Sequence, residues 1–157
     1  MVKVFTLHIH RAWDNIAHKW HVVDYLQKDA KRKGALRHGV SRTVFKSFWH
    51  NLESVISDER DLYVATNDSN KMVGFMVVRC LGNNRKGDKV NLSFMEILPA
   101  YRRKGAGRVM VQYVIDTARL EGQSSIELVA ANGSDGFWDK MGFQVTPKSS
   151  CLYSLSL

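Results

Sequence analysis

The chain has 157 residues, 45% of them hydrophobic, and only two prolines, which fits a single folded domain spanning 1–157 and excludes a disordered chain. A formal net charge of +8 favours an anionic ligand over polycationic substrates, which acidic sites serve better. The two cysteines are too few for a disulfide framework, and the lack of a leader-like N-terminus or a long apolar run predicts a cytoplasmic protein with no membrane partner.

The first third of the chain predicts one strand followed by two helices. Residues 2–10 alternate as a strand does and bring His8 and His10 to one side, but no Cys, Asp or Glu accompanies them and no metal site is expected. Residues 13–33 and 41–56 keep the three-to-four spacing of amphipathic helices.

Positive charge is concentrated in two parts of the chain. Nine Lys or Arg and three Asp lie between residues 11 and 46, and seven Lys or Arg and two acidic residues lie between residues 85 and 108. A polyphosphate ligand would explain the second cluster. The first cluster could face nucleic acid, a ribosome or an acidic small molecule, or it could be a solvated face.

The middle of the chain predicts three antiparallel strands. Residues 61–66 and 71–81 are separated by a polar four-residue turn and form a hairpin. In the next strand Val90, Leu92 and Phe94 recur at every second position, which predicts that they pack on one face. Pairing should stop near Leu98, because the following Pro99 cannot donate a ladder hydrogen bond.

A basic loop with two glycines follows and leads into a helix whose apolar residues fall four apart. The first amides of a helix lack internal acceptors and lie at the positive end of its dipole, so this junction predicts a site for a phosphate or pyrophosphate. Neither a Walker loop nor a Gly-x-Gly-x-x-Gly dinucleotide fingerprint is present.

Two stretches, 94–108 and 126–143, resemble the signature segments of the GNAT superfamily of N-acyltransferases. The first contains Arg-x-x-Gly-x-Gly after an Ile-x-Pro strand end, and the second ends in Lys-x-Gly-Phe. The order β-α-α-β-β-β-α-β-α-β-β is also the one that the GNAT fold has. The resemblance implies an α/β (α+β) fold with a mixed, mostly antiparallel sheet, helices on both faces, and two central strands that splay apart to form a cofactor cleft.

The resemblance also implies acetyl-CoA as co-substrate and a catalytic carboxylate. Glu127 and Glu96 are the candidates for the general base, in that order, and an amide near Ile97 for the oxyanion. Trp138 replaces the tyrosine that protonates the leaving thiolate in many members, so either another group serves, with Ser134 and Tyr101 as weak candidates, or the thiolate leaves unassisted. The residues expected to contact acetyl-CoA are Ile97, Leu98, Arg102, Arg103, Lys104, Gly105, Ala106, Gly107, Arg108, Asn132 and Trp138.

The sequence therefore predicts an acetyl-CoA-dependent N-acetyltransferase that acts on a primary amine of a metabolite, an amino-acid-like molecule or a peptide. The alternative is a catalytically weak binding module that uses its basic face for nucleic acid or a partner protein. Two departures from the family pattern, Asn91 and Ser93, stand where other members carry acidic residues. A homodimer would be in keeping with the family.

Overall fold

The computed structural model describes residues 6–12, 20–22, 24–26, 28, 61–82, 86–131 and 133–157. Seven strands of this part of the chain form one mixed sheet in the order β1-β2-β3-β4-β5-β7-β6. The strands are β1 (His8–Arg11), β2 (Leu62–Thr66), β3 (Met72–Arg79), β4 (Lys89–Ile97), β5 (Ser125–Val129), β6 (Gln144–Thr146) and β7 (Ser149–Ser156). Two helices follow β4 and β5, namely α1 (Ala106–Leu120) and α2 (Asp135–Lys140).

The predicted element order is confirmed wherever the chain is described. Of the strand predicted at 2–10, residues 8–10 lie in β1, residues 6 and 7 precede it, and residues 2–5 lie outside the described residues. Residues 20–22, 24–26 and 28 of the predicted helix 13–33 are helical. The rest of that helix, the helix predicted at 41–56 and most of the basic segment 11–46 lie outside the described residues.

The sheet separates two apolar clusters. On one face, α1 buries its four-residue stripe of Ala106, Met110, Val114 and Ala118 against the central strands, as the sequence pattern predicts. On the other face, a smaller cluster combines Phe75 and Val77 of β3 with the buried Val22 and with partly buried residues of the helical stretch 24–26. The helices therefore cover both faces of the sheet.

A β-bulge in β4 overturns the prediction that Val90, Leu92 and Phe94 share one face. Val77 pairs with Phe94 and the next residue, Val78, pairs with Leu92, so Ser93 is the extra residue. One inserted residue reverses the alternation of every side chain that follows. Val90 and Leu92 accordingly belong to the α1 cluster, whereas Phe94 packs in the opposite cluster.

The two central strands, β4 and β5, run parallel but pair over only three residues each. Lys89, Val90 and Asn91 pair with Ser125, Ile126 and Glu127, and no pairing follows. Beyond these pairs β4 continues to Ile97 while β5 continues to Val129. The strands thus diverge, which is the cleft that the sequence resemblance implied.

Candidate active site

The N-terminus of α1 has the features that the predicted anion site requires. Gly105 caps the helix with φ of 88°, a left-handed conformation that favours glycine, and Arg103 before it has φ of 60°. No side chain caps the helix, and its first turn holds no acidic residue. The first amides of α1 therefore keep their hydrogen-bonding capacity for a ligand, and the helix dipole favours one with negative charge.

A cavity of about 500 Å³ lies at this helix end and reaches the end of β4. Its lining combines apolar side chains from β4 and α2 with guanidinium groups from the loop and helix start. The lining residues are Met95, Ile97, Tyr101, Arg102, Arg103, Gly105, Ala106, Gly107, Arg108 and Phe137. This combination fits a ligand that carries a polyphosphate at one end and a less polar arm at the other.

The cavity is shaped partly by the missing side chain of Gly107. A Cβ built on this residue would lie 3.4 Å from the Phe137 ring and 3.8 Å from the Met95 methyl group. Glycine therefore keeps the space between α1, α2 and β4 open, so that a ligand can approach the helix amides closely.

Ile97 offers backbone groups to the cleft. The Leu98 amide donates to the Val73 carbonyl at 2.9 Å. In an antiparallel ladder hydrogen-bonded pairs alternate with open ones, so Ile97, which pairs with Gly74, turns its amide and carbonyl away from β3 and toward the diverging β5. The carbonyl accepts from Arg102 Nε at 2.9 Å, whereas the amide has the orientation that an oxyanion requires.

Three described residues of the predicted cofactor set do not line the cavity. Leu98 uses its amide for Val73 and its carbonyl for Tyr101, and Lys104 Nζ donates to the Ala100 carbonyl at 3.3 Å. Trp138 is 7% exposed in the core and donates its indole N–H to Ser134 Oγ at 3.2 Å. Asn132 lies outside the described residues.

The sequence reasoning missed Phe137 and Met95. Both line the cavity, and Phe137 faces it where its neighbour Trp138 had been expected to do so. The two rings meet edge to face at 4.7 Å, so the larger one fills the core and the smaller one faces the cavity. Met95 reaches the cavity because the bulge at Ser93 turns it to the α1 face.

Glu96 lies between two cavity-lining residues but projects from the opposite face of β4. Its Oε1 accepts a hydrogen bond from Arg102 Nη2 at 2.6 Å and another from the Tyr25 hydroxyl at 3.2 Å. The side chain is 19% exposed. A carboxylate at this position stands beside the open end of the cleft.

Glu127 occupies the closed end of the same cleft. It forms the last β4–β5 pair with Asn91, and its Oε1 accepts from Lys89 Nζ at 3.3 Å. Close by, Ser93 Oγ donates to Asn91 Oδ1 at 2.5 Å. Ile126 and Leu128 point to the α1 face, so Glu127 projects to the face that also bears Glu96.

The two weaker candidates for a proton donor differ in their surroundings. Tyr101 lines the cavity. Ser134 Oγ instead donates to the Ala131 carbonyl at 2.6 Å and accepts from the Trp138 indole, so its proton is already engaged within the loop before α2. Of the two, the geometry favours Tyr101.

The sequence profile of the Acetyltransferase (GNAT) family matches residues 20–143. The chain belongs to this family. It is 31% identical over 101 residues to the peptidyl-lysine N-acetyltransferase YjaB of Salmonella typhimurium, with 62% of each protein covered. GNAT proteins are acyltransferases, and their motifs coincide here with the anion site at α1.

Solved structures of this family share the fold. A GNAT acetyltransferase from Listeria monocytogenes superposes with a TM-score of 0.71 at 14% identity, covering 100% of this chain and 98% of its own. The PaiA N-acetyltransferase of Thermoplasma acidophilum, crystallised with coenzyme A, gives 0.66 at 16% identity, with 97% and 99% covered. In the described part of this GNAT chain, no helix is long and apolar enough to cross a membrane.

Proposed function

We propose that the protein transfers the acetyl group of acetyl-CoA to the side-chain amine of a lysine in a peptide or protein. The observation that carries this proposal is the continuity of the cavity from the uncapped amides of α1 to the diverging end of β4. The phosphates would lie on the amides and arginines at one end, and the acyl arm would follow Met95 and Ile97 to the cleft.

Glu96 is the better candidate for the general base. A lysine amine has a pKa near 10.4 and is protonated at neutral pH, so a carboxylate must take a proton before nitrogen can attack. Glu96 stands between Met95 and Ile97, both of which line the cavity, whereas Glu127 stands where β4 and β5 are still paired. This reverses the order in which the sequence ranks them.

Different residues of the cleft would act at different steps of acetyl transfer. Glu96 accepts the amine proton, and the Ile97 amide stabilises the negative charge that develops on the acetyl oxygen as the N–C bond forms. The C–S bond then breaks. Tyr101, which lines the cavity, can protonate the thiolate, although a thiol with a pKa of about 8.5 also leaves unaided.

Peptidyl lysine is preferred over the other primary amines because of the relative from Salmonella, which carries that activity in its name. The chain spans 62% of that relative's length, so the acceptor is assigned by similarity and not by contacts. A second support is the open face of the sheet beside Glu127, where Lys89, Asn91 and Ser93 are exposed and offer polar groups to an extended peptide.

The test is CoA release from acetyl-CoA in the presence of a lysine-containing peptide, with the same peptide carrying arginine instead of lysine as the control. The wild-type protein should release CoA with the first peptide only. Glu96→Gln should lower turnover by about a hundredfold, the low end of the range for general bases, while Glu127→Gln retains most of it. Equal losses in both variants, or a loss in Glu127→Gln alone, would contradict the assignment of the base.

A further inference from the structure

Three residues from separate parts of the chain meet at one carboxylate oxygen. Tyr25 comes from the helical segment on one face of the sheet, Glu96 from β4, and Arg102 from the loop that leads to α1. The Tyr25 hydroxyl and Arg102 Nη2 both donate to Glu96 Oε1, at 3.2 and 2.6 Å. Among the described residues, none donates to Oε2.

We infer that Tyr25 and Arg102 are positioning residues that bind Oε1 of Glu96 and thereby present Oε2 to the acceptor amine. The inference rests on the proposed function, in which Glu96 is the base. A carboxylate accepts through both oxygens, so two donors on one of them define the plane of the group and the direction of the other oxygen. A base held in this way needs no reorientation when the amine arrives.

The Tyr25 hydroxyl is itself held by core packing. Its ring meets Phe75 edge to face, with centroids 5.9 Å apart, and Phe75 is fully buried and stacks on Phe94 at 5.7 Å. Phe94 reaches this cluster because of the bulge at Ser93. The same bulge that sends Met95 to the cofactor cavity therefore brings Glu96 to Tyr25.

Arg102 is fixed by a second bond and connects the base to the cofactor loop. Its Nε donates to the Ile97 carbonyl at 2.9 Å, while Nη2 binds Glu96. The residue also lines the cavity and opens the Arg-x-x-Gly-x-Gly motif. One side chain thus holds both the base and the strand end that faces the acyl arm.

In this scheme Oε2 of Glu96 is the atom that accepts the proton. Oε2 of Glu96 first takes one proton from the lysine ammonium, which frees the nitrogen lone pair to form the N–C bond. When the tetrahedral intermediate collapses, the electrons of the C–S bond leave with the thiolate, and the second proton of the nitrogen balances the proton that the thiolate takes up. Tyr25 and Arg102 keep their protons throughout. Removal of the Tyr25 hydroxyl should therefore lower turnover through Glu96 without changing how acetyl-CoA binds, whereas removal of Arg102 would also alter the lining of the cofactor cavity.

The test is a double-mutant cycle between Tyr25→Phe and Glu96→Gln. Tyr25→Phe keeps the ring that packs on Phe75 and removes only the hydroxyl, and Tyr113→Phe, which removes a hydroxyl on α1, is the matched control. The probes are acetyl-CoA with the lysine peptide, and acetyl-CoA alone, in which water is the acceptor. CoA release and the acetyl-CoA-dependent rise in melting temperature are measured for each variant.

Tyr25→Phe should lower kcat about tenfold, in keeping with the loss of one hydrogen bond to a charged group, and leave the KM for acetyl-CoA unchanged. In the Glu96→Gln background the same change should have no further effect. Two results would overturn the inference but keep Glu96 as the base. In the first, Tyr25→Phe lowers kcat equally in the wild-type and Glu96→Gln backgrounds. In the second, Tyr25→Phe is fully active while Glu96→Gln is inactive. Full activity of Glu96→Gln would overturn the assignment of the base and the inference with it.

Discussion

Gly74 of β3 lies so close to Glu96 of β4 that a Cβ built on it would come within 2.6 Å of the Glu96 carbonyl oxygen. The same Cβ would meet Met110 Sδ at 3.2 Å. Two backbone segments and the core face of α1 therefore converge on a position where only glycine fits. This contact sets where the end of β4 stands relative to the rest of the sheet.

Gly74→Ala should displace the end of β4 and weaken acetyl-CoA binding. The clash is with backbone, which cannot rotate away, so we expect a loss of about 1–3 kcal/mol in the free energy of unfolding. Chemical denaturation with and without acetyl-CoA measures both effects. Gly136→Ala is the control, since its Cβ meets nothing within 4 Å and a helical alanine should stabilise by about 0.5–1 kcal/mol.

Gly105→Asp should abolish the stabilisation of the protein by acetyl-CoA. The new carboxylate would repel phosphate at the cap of α1, and a ligand that binds only the folded state raises its apparent stability. Gly87→Asp is a matched control, because the two glycines have φ of 88° and 84° and neither Cβ meets an atom within 4 Å. Both variants should melt lower than wild type, and only Gly87→Asp should respond to the ligand. A response from both would contradict the anion site.

Gln123→Ala should destabilise the fold without touching the cleft. Gln123 is 4% exposed, its Oε1 accepts from the Gly82 amide at 2.9 Å, and its Nε2 donates to the Cys80 carbonyl. Removing it leaves the buried Gly82 amide without its acceptor, at a cost of about 1–3 kcal/mol. Urea denaturation should show this loss, whereas Gln112→Ala, at an exposed position on α1, should change stability by less than about 0.5 kcal/mol.

Stability should fall at alkaline pH through Tyr63. Burial raises the pKa of this phenol above its usual value near 10, although Arg11, whose Nε donates to the hydroxyl at 3.1 Å, acts in the opposite direction. Between the unfolded and folded pKa the native state binds more protons, so unfolding becomes easier as the pH rises past about 10. Tyr63→Phe should flatten the dependence of melting temperature on pH between about 9 and 11. If the dependence of melting temperature on pH is unchanged in Tyr63→Phe, the loss of stability at alkaline pH is due to the titration of other groups.

The sequence predicted much of the fold because its signals are local. The four-residue stripe of α1, the stop at Pro99 and the glycine loop each depend on neighbouring residues, and all appear in the structure. The bulge at Ser93 has no such signal, because it depends on the register between β3 and β4. The sequence therefore could not predict to which face of the sheet each later side chain of β4 points.

The same limit applies to the candidate site. The glycine loop could be predicted from the motif, and seven of the eleven predicted cofactor residues line the cavity. Whether Phe137 or Trp138 faces the cavity depends on the rotation of α2 about its own axis relative to the core. The bond between Tyr25 and Glu96 joins residues 71 positions apart, and only the folded sheet brings them together.

Incubation of the wild-type protein with acetyl-CoA and a lysine-containing peptide, followed by mass spectrometry of the peptide, tests the proposed reaction most directly. We expect one acetyl group per lysine, located on the side-chain nitrogen, in amounts equal to the CoA released, and none on the arginine-substituted peptide. A protein that is stabilised by acetyl-CoA but leaves every lysine unmodified would contradict transfer to peptidyl lysine.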